Sequence, residues 1–420
     1  MMGDNDESGM SRRSFLKTAA TTAVAGAGLM GLRAEAQDQP LTAGLIGCGG
    51  RGTGAAAQCV ESAPNVTITA LADLFPDKVG ASRDNIQKKT DQEVPQERCF
   101  VGFDAYQKLI DTDVDIVLLA TTPHFRPQQL RAAVAAGKHV FMEKPVCVDP
   151  WGYRECIAAY QEANEKKLNI VAGTQRRHQM PYLETYQRVA DGAIGKILAL
   201  RAYWCGGPLR YRRREENWSD MEYQIRNWNH FFWLSGDHIV EQHIHNLDVC
   251  NWFFGDHPVE AFGFGMRARK DVGNTYDFFC VEYRYADDTR MQSLCRQIRG
   301  CDTNVSEFIV GTQGSTNCAG RIWDLDGNET FRVEGKGPNP KVQEHADLIN
   351  AIRTGEQLNE AKNVADSSFT AVIGRMSAYT GKRVKWDEAA QMDMRLGPTE
   401  YAMGDVEVEP VQLPGAPFPR

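Results

Sequence analysis

Apolar residues follow two rhythms along this chain, and one gives way to the other near Gly173. Before that point, short unbroken apolar runs alternate with amphipathic stretches. Residues 41–46 and 66–72 read as buried strands, the first ending in glycines and the second closed by Asp73. Residues 114–120 (VDIVLLA) and 139–142 are again continuous and apolar, as parallel strands covered on both faces should be. Between them the spacing predicts helices over 53–62, 128–136 and 150–167. Strand–helix alternation implies βαβ units in a doubly wound sheet, a Rossmann-type domain over 41–173.

Beyond Gly173 the pattern predicts a helix over 181–191, a strand over 197–204 and a helix over 239–254. An aromatic- and Arg-rich loop fills 206–237. Alternating runs at 260–268, 277–285, 290–296 and 306–311 then follow in succession, which implies an open, largely antiparallel sheet. Helices at 342–353 and 364–379 should pack back on the body. The fold expected is therefore α/β, with a Rossmann domain, a second α/β domain over 174–387 for substrate and oligomer contacts, and an extended tail over 388–420 that is Pro-rich from Glu407.

At 420 residues, 42% hydrophobic and 24% charged, the chain can bury the core of an ordinary globular enzyme. A net charge of −8 with no basic block in the main body argues against nucleic acid as a partner. The short run RYRRR at 210–214 reads as a solvated or active-site loop. No apolar run approaches the roughly 20 residues of a membrane span. The N-terminus instead reads as a twin-arginine export signal over 1–36: SRRSFLK at 11–17, a weakly apolar stretch, then Ala34-Glu35-Ala36 as a cleavage site. That route carries folded proteins outward, so a periplasmic or otherwise exported location is expected. Eleven cysteines, an odd number with no C-x-x-C, suit a chain that folds with reduced thiols before export. They form no metal-spacing ladder, and no metal is expected.

Gly47-Cys48-Gly49-Gly50-Arg51-Gly52 is a G-x-G-x-x-G between strand and helix. Gly47 permits the tight turn, Gly49 lets the backbone approach a pyrophosphate, and Gly52 allows close packing of helix on strand. An acid about 20 residues on completes the fingerprint, and Asp73 stands there at a strand end. Its carboxylate can accept ribose hydroxyls and would repel a 2′-phosphate, so NAD is favoured over NADP.

Together with this loop, Ala120-Thr121-Thr122-Pro123-His124, Ala136-Gly137-Lys138-His139-Val140 and Glu143-Lys144-Pro145-Val146 resemble the glucose–fructose oxidoreductase/inositol dehydrogenase/rhizopine catabolism (Gfo/Idh/MocA) family, from about Thr42 to Trp386. The resemblance implies an NAD-dependent oxidoreductase acting on a sugar or polyol, with cofactor contacts at Thr122, Pro123, His124 and Glu143. It also implies that Lys144 lies beside nicotinamide and substrate. A lysine beside a cationic ring has its charged form disfavoured and can share a proton with a substrate hydroxyl. The Lys144–Pro145 bond is a candidate cis bond.

Glu241, His245 and Asp248, spaced i, i+4, i+7, would share one face of a helix. By resemblance His245 is the proton acceptor, Glu241 stands where Asp is usual, and Asp248 meets substrate. The base is left open between Lys144 and His245. His243 would diverge from that face, so a zinc site there is disfavoured. The resemblance also places Arg176 and Arg177 along the substrate cleft, and Trp228 in the aromatic loop suits a sugar ring or a core contact. Two other readings stand beside the dehydrogenase: a redox-neutral glycoside hydrolase or lyase working through a transient keto-sugar, and a non-catalytic sugar-binding protein. A homo-oligomer is expected.

Overall fold

In the computed structural model, residues 39–417 are described; the twin-arginine motif and the cleavage site lie outside them. The first half winds β1 (Leu41–Ile46), α1 (Gly50–Ser62), β2 (Val66–Asp73), α2 (Pro76–Thr90), β3 (Cys99–Val101), α3 (Ala105–Ile110), β4 (Ile116–Leu119), α4 (Arg126–Ala135), β5 (His139–Met142), α5 (Pro150–Glu165) and β6 (Ile170–Ala172). The six strands form one sheet in the order β3-β2-β1-β4-β5-β6, and every pair in it is parallel. The apolar runs are continuous because both faces are covered. Leu45, Ile68, Leu118 and Phe141 point into one core layer, whereas Ile46, Val117, Leu119 and Met142 point into the other. Strand order reverses between β1 and β4, which is where an open α/β sheet leaves a crevice for a ligand.

The second half comprises α6 (Met180–Ala190), β7 (Ile197–Gly206), α7 (Asp220–Arg226), α8 (Phe232–Ser235), α9 (His238–Glu241), α10 (Ile244–Phe254), β8 (Glu260–Met266), β9 (Phe278–Arg284), β10 (Arg290–Gln297), β11 (Asn304–Gly311), β12 (Gly314–Thr316), β13 (Arg321–Asp324), β14 (Glu329–Arg332), α11 (Pro340–Thr354), α12 (Ala361–Thr380), β15 (Val384–Lys385) and α13 (Trp386–Ala390). Its nine-stranded sheet runs β14-β13-β12-β11-β7-β10-β9-β8-β15 and is antiparallel at every pair but β7–β10. One face packs Phe279, Val281, Tyr283 and Met291 against α10 and α12 through Leu247, Phe253, Phe369 and Ile373. The other leaves Phe262, Phe264 and Met266 of β8 exposed.

The strands and their order of types follow the expected pattern, but several elements depart from it. The helix expected over 239–254 is two helices, broken at Gln242 and His243. The loop expected over 206–237 carries α7 and α8, and α2 and the strands β12–β14 were not anticipated. The late helices do pack back: Leu348 and Ile349 of α11 join the first sheet's core, and α12 contributes to the cores of both halves. The C-terminal segment has no regular structure after α13, yet it is docked, with Leu396 N–H donating to Asp149 Oδ2 (2.9 Å) and Gly415 N–H to the Tyr379 carbonyl (2.9 Å).

Candidate active site

A cavity of about 540 Å³ lies at the strand-order reversal, between the glycine-rich loop, the ends of β4 and β5, and the 206–237 segment. The loop fits its expected work. Gly47 has φ +98°, and a Cβ there would lie 2.5 Å from the Ala120 carbonyl carbon. A Cβ on Gly52 would meet the Gly47 carbonyl oxygen, so helix and strand can approach only without one. At Gly49 and Gly50 a Cβ would meet nothing within 4 Å, which leaves an open cradle at the N-terminus of α1. That is the form a pyrophosphate site takes.

Asp73 lines the same cavity at the end of β2. Its Oδ2 accepts from Cys48 N–H (2.7 Å) and its Oδ1 from Phe75 N–H (3.0 Å), leaving lone pairs free for ribose hydroxyls. Burial raises its pKa, opposed by those two N–H groups and by Lys78. Phe75, Phe103, Tyr106 and, from the second half, Ile225, Arg226, Arg212 and Trp228 complete this end.

At the opposite end, Lys144 follows β5 and the Lys144–Pro145 bond is cis. Lys144 Nζ donates to the Glu241 carbonyl (2.6 Å) and stands 3.5 Å from Glu241 Oε1. Gln242 Nε2 donates to Glu241 Oε2 (2.5 Å). His245 lines the cavity one turn further on, its ring stacked 5.7 Å from Trp204. Burial, then the charges of Lys144, Arg176 and Lys341, push its pKa well down. It is therefore neutral near pH 7, with an imidazole nitrogen able to accept a proton. Lysine, carboxylate and imidazole thus meet in the lining of one cavity.

Other assignments need correction. Glu241 and His245 do not share a helix face: Glu241 ends α9, His245 lies in α10, and the chain turns between them. Asp248 does not face the cavity, because Arg177 grips it with two nitrogens (2.9–3.1 Å) and Ser367 Oγ donates to it at 2.8 Å. Arg177 is consumed by the same pair, and Arg176 is paired with buried Glu307. These ion pairs fasten the 175–178 turn to α10 and β11 and leave neither guanidinium in the cavity lining. Pro123 and His124 are absent from that lining too. The chain after β4 winds a tight turn that presents Thr122 and Phe125, and His124 is buried against Trp233 with its Nε2 2.6 Å from Tyr401 Oη. Burial, then Arg395, takes the His124 pKa down to about 3. His243 is fully buried and bonded to Ser293 Oγ at 2.8 Å. Among the described residues no cluster of three or more His, Cys, Asp or Glu could hold a metal, and no helix is long and apolar enough to cross a membrane.

Sequence reasoning missed Glu344 and Lys341 of α11, which line the cavity, and Arg226, which closes its far end. Arg51 ties the first of these in. Its Nε pairs with Glu143, its Nη1 donates to Gln58 (2.6 Å) and its Nη2 lies 3.3 Å from Glu344.

Residues 41–174 match the family model described as the oxidoreductase family, NAD-binding Rossmann fold, and residues 182–317 match the Gfo/Idh/MocA C-terminal domain. The chain belongs to the Gfo/Idh/MocA family. Its first domain is the NAD-binding Rossmann domain of that family. Among curated relatives it is similar to an inositol 2-dehydrogenase of Klebsiella pneumoniae (strain 342), 28% identical over 161 residues, 38% of this chain and 44% of that one. The chain spans about half the length of the curated relatives it matches. In fold it is similar to an aldose-aldose oxidoreductase from Caulobacter crescentus complexed with glycerol (TM-score 0.65, 19% identity, 83% of this chain and 100% of that one). It is also similar to a scyllo-inositol dehydrogenase from Lactobacillus casei with bound NAD(H) and scyllo-inositol (TM-score 0.64, 19% identity, 83% and 100%). The first match spans the parallel sheet and the second spans β7 to β12 of the other sheet.

Proposed function

We propose that the protein is an NAD-dependent oxidoreductase that moves hydride between a carbinol carbon of a sugar or polyol and its cofactor. The convergence of Lys144, Glu241 and His245 at one end of a cleft whose other end holds the glycine loop and Asp73 carries this reading. NAD supplies the hydride acceptor when bound. The glycine loop and Asp73 would hold its pyrophosphate and ribose, and Glu143, Thr122 and Lys144 the remainder of the nucleotide. His245, neutral and in the cavity lining, takes the hydroxyl proton. Lys144 orients the hydroxyl oxygen, and Glu241 fixes Lys144 through its carbonyl and carboxylate.

The signal-like N-terminus supports export by the twin-arginine route, and the exposed apolar residues Phe262, Phe264 and Met266 on the open face of β8 support a homo-oligomer. A compartment outside the inner membrane is not expected to supply a nucleotide pool. NAD should therefore be loaded before export, held with a Kd on the order of nanomolar or below, about −12 kcal/mol, and regenerated in place by passing the hydride to a second substrate or back to the same sugar. Denaturing the exported, extensively dialysed protein should release stoichiometric NAD, and incubation with sugars and polyols should yield a keto-product. Release of an aglycone with no net oxidation would replace the dehydrogenase by the redox-neutral lyase or hydrolase. Retained sugar without turnover would replace it by a binding protein.

A further inference from the structure

Glu344 has no part in the roles given so far, yet it is one of the most enclosed carboxyls in the protein. Its side chain is 1% exposed and lines the cavity from α11, an element outside both matched domains. Oε1 is 3.3 Å from Arg51 Nη2, and Oε2 has no hydrogen-bond partner among the described residues. The same Arg51 also serves Glu143, so one guanidinium stands between two buried carboxyls. Glu143 in turn fills the space left by Gly173, where a Cβ would lie 2.7 Å from its carboxylate oxygen. In a doubly wound sheet the two halves of a dinucleotide lie on either side of the strand-order reversal. Asp73 marks the ribose on the β2 side, so the nicotinamide half belongs on the β4–β6 side, with Glu143, Lys144 and Glu344.

We propose that Glu344 is a member of the cofactor site, a carboxyl on the nicotinamide side that selects the oxidised, cationic ring over the reduced, neutral one. The inference rests on the NAD-dependent reading above. The groups around Glu344 are Arg51 of α1, Glu143 after β5, His178 of the 175–178 turn, Glu360 before α12, and His345 and Lys341 on its own helix. Burial first, and then the charge of Glu143, raise the Glu344 pKa well above the ordinary carboxylate range, against the pull of Arg51 and His178. A cationic ring nearby favours the ionised carboxylate, so binding of NAD⁺ drives the Glu344 proton out to buffer. NADH carries no ring charge and leaves that proton in place. When hydride reaches the ring its positive charge disappears, and the carboxylate takes one proton back from solvent. Affinity for NAD⁺ therefore rises with pH through the Glu344 titration, whereas affinity for NADH stays flat.

The test is calorimetry on the full mature chain, stripped of nucleotide with charcoal, titrated with NAD⁺ or NADH between pH 5 and 9 in buffers of different ionisation enthalpy. Wild type should release protons on binding NAD⁺ and none on binding NADH. Glu344→Gln keeps the shape and removes the titration. It should abolish NAD⁺-linked proton release and shrink the ratio of NAD⁺ to NADH affinity by at least about tenfold, inside the roughly thousandfold that one charge about 4 Å away supplies at an effective dielectric near 20. Glu344→Asp, which keeps the charge, should retain proton release. Unchanged proton release in Glu344→Gln, or an unchanged affinity ratio with the fold intact by circular dichroism, overturns the proposal. Wild type that binds neither nucleotide would instead overturn the NAD-dependent reading itself.

Discussion

Lys144 Nζ finds both its partners on one residue, the carbonyl and the carboxylate of Glu241, while His245 faces the same cavity stacked on Trp204, with no hydrogen bond to its ring among the described residues. Lys144→Ala and His245→Ala should each lower kcat by roughly 10²–10⁴, the usual worth of a positioned acid–base group, with NAD still bound. Near-wild-type turnover in both would place the chemistry elsewhere. At this scale much was legible in the sequence. The glycine loop and Asp73 sit at a spacing fixed by local backbone geometry, Lys144, Glu241 and His245 were marked by the family resemblance, and the cavity lining includes them all. What could not be read was which polar residues other side chains had already claimed. Arg176, Arg177 and Asp248 resemble a substrate grip in sequence, but each is consumed by a partner 71 to 131 positions away. Glu344 and Lys341 were invisible for the converse reason: α11 returns to the cleft only after the whole second sheet has been laid down.

The helix read over 239–254 shows why a hydrophobic period alone locates elements better than it joins them. An apolar-rich segment satisfies the 3.6 period right through Gln242 and His243, yet the chain breaks there and Glu241 presents its carbonyl to Lys144 instead of to a continuing helix. The preceding turn is strained. Asp237 has φ +74° and ψ 165°, a region nearly restricted to glycine, and its buried carboxylate accepts from His238 N–H (2.7 Å), Tyr276 N–H (2.8 Å) and Tyr379 Oη–H (2.8 Å). Asp237→Ala loses those bonds and keeps the strain, whereas Asp237→Gly loses the bonds and relieves it. Glycine should therefore be the milder replacement by about 1–3 kcal/mol in chemical unfolding; equal losses would show that the turn is unstrained.

The 175–178 turn offers a pH-dependent counterpart. His178 Nδ1 lies 2.6 Å from Asp347 Oδ2 and its Nε2 3.4 Å from Glu360 Oε1, joining the turn to α11 and the start of α12. Burial opposes its charge, but Glu360 and Asp347 outweigh burial and lift its pKa to about 10. Because the folded value lies above the unfolded one, near 6.5, this stabilisation is complete below about pH 6.5 and disappears as pH climbs through about 10. Denaturant midpoints should fall over that interval in wild type. In His178→Gln the curve should be flatter and start about 3 kcal/mol lower, since the buried Glu360 carboxylate loses its partner. A wild-type midpoint that stays level from pH 6 to 10 would contradict the assignment.

The whole molecule closes its cleft with chain that comes late in the sequence. Segment 206–237 crosses from the second half onto the ribose side of the cavity, and the C-terminal stretch holds it there. Gly404 and Val406 carbonyls accept from Met221 N–H (3.1 Å) and Gln224 Nε2 (3.0 Å). Arg226 is the fastening. Its two terminal nitrogens fork onto Asp77 of α2 (2.8 and 3.1 Å), its Nε bonds Glu222 (2.8 Å), and its guanidinium lies 4.0 Å from the Phe75 ring centroid. Phe75 and Arg226 both line the cavity, so this contact would stand in the way of a nucleotide leaving by that side. Asp77 is half-exposed, and an exposed ion pair is worth under about 1 kcal/mol; the cation–π contact adds about 0.5–2 kcal/mol. Together they amount to about 1.4 kcal/mol, or tenfold in a rate. Arg226→Ala should thus speed NAD release about tenfold, measured as the decay of bound cofactor after dilution into a nucleotide scavenger. NAD uptake by stripped protein should quicken as well, because a latch obstructs passage in both directions. Exchanging the charges, Arg226→Asp with Asp77→Arg, should slow release again by rebuilding the ion pair across the same gap. If Arg226→Ala releases NAD no faster than wild type, the segment is a passive cover and retention must come from the glycine loop and Asp73 alone.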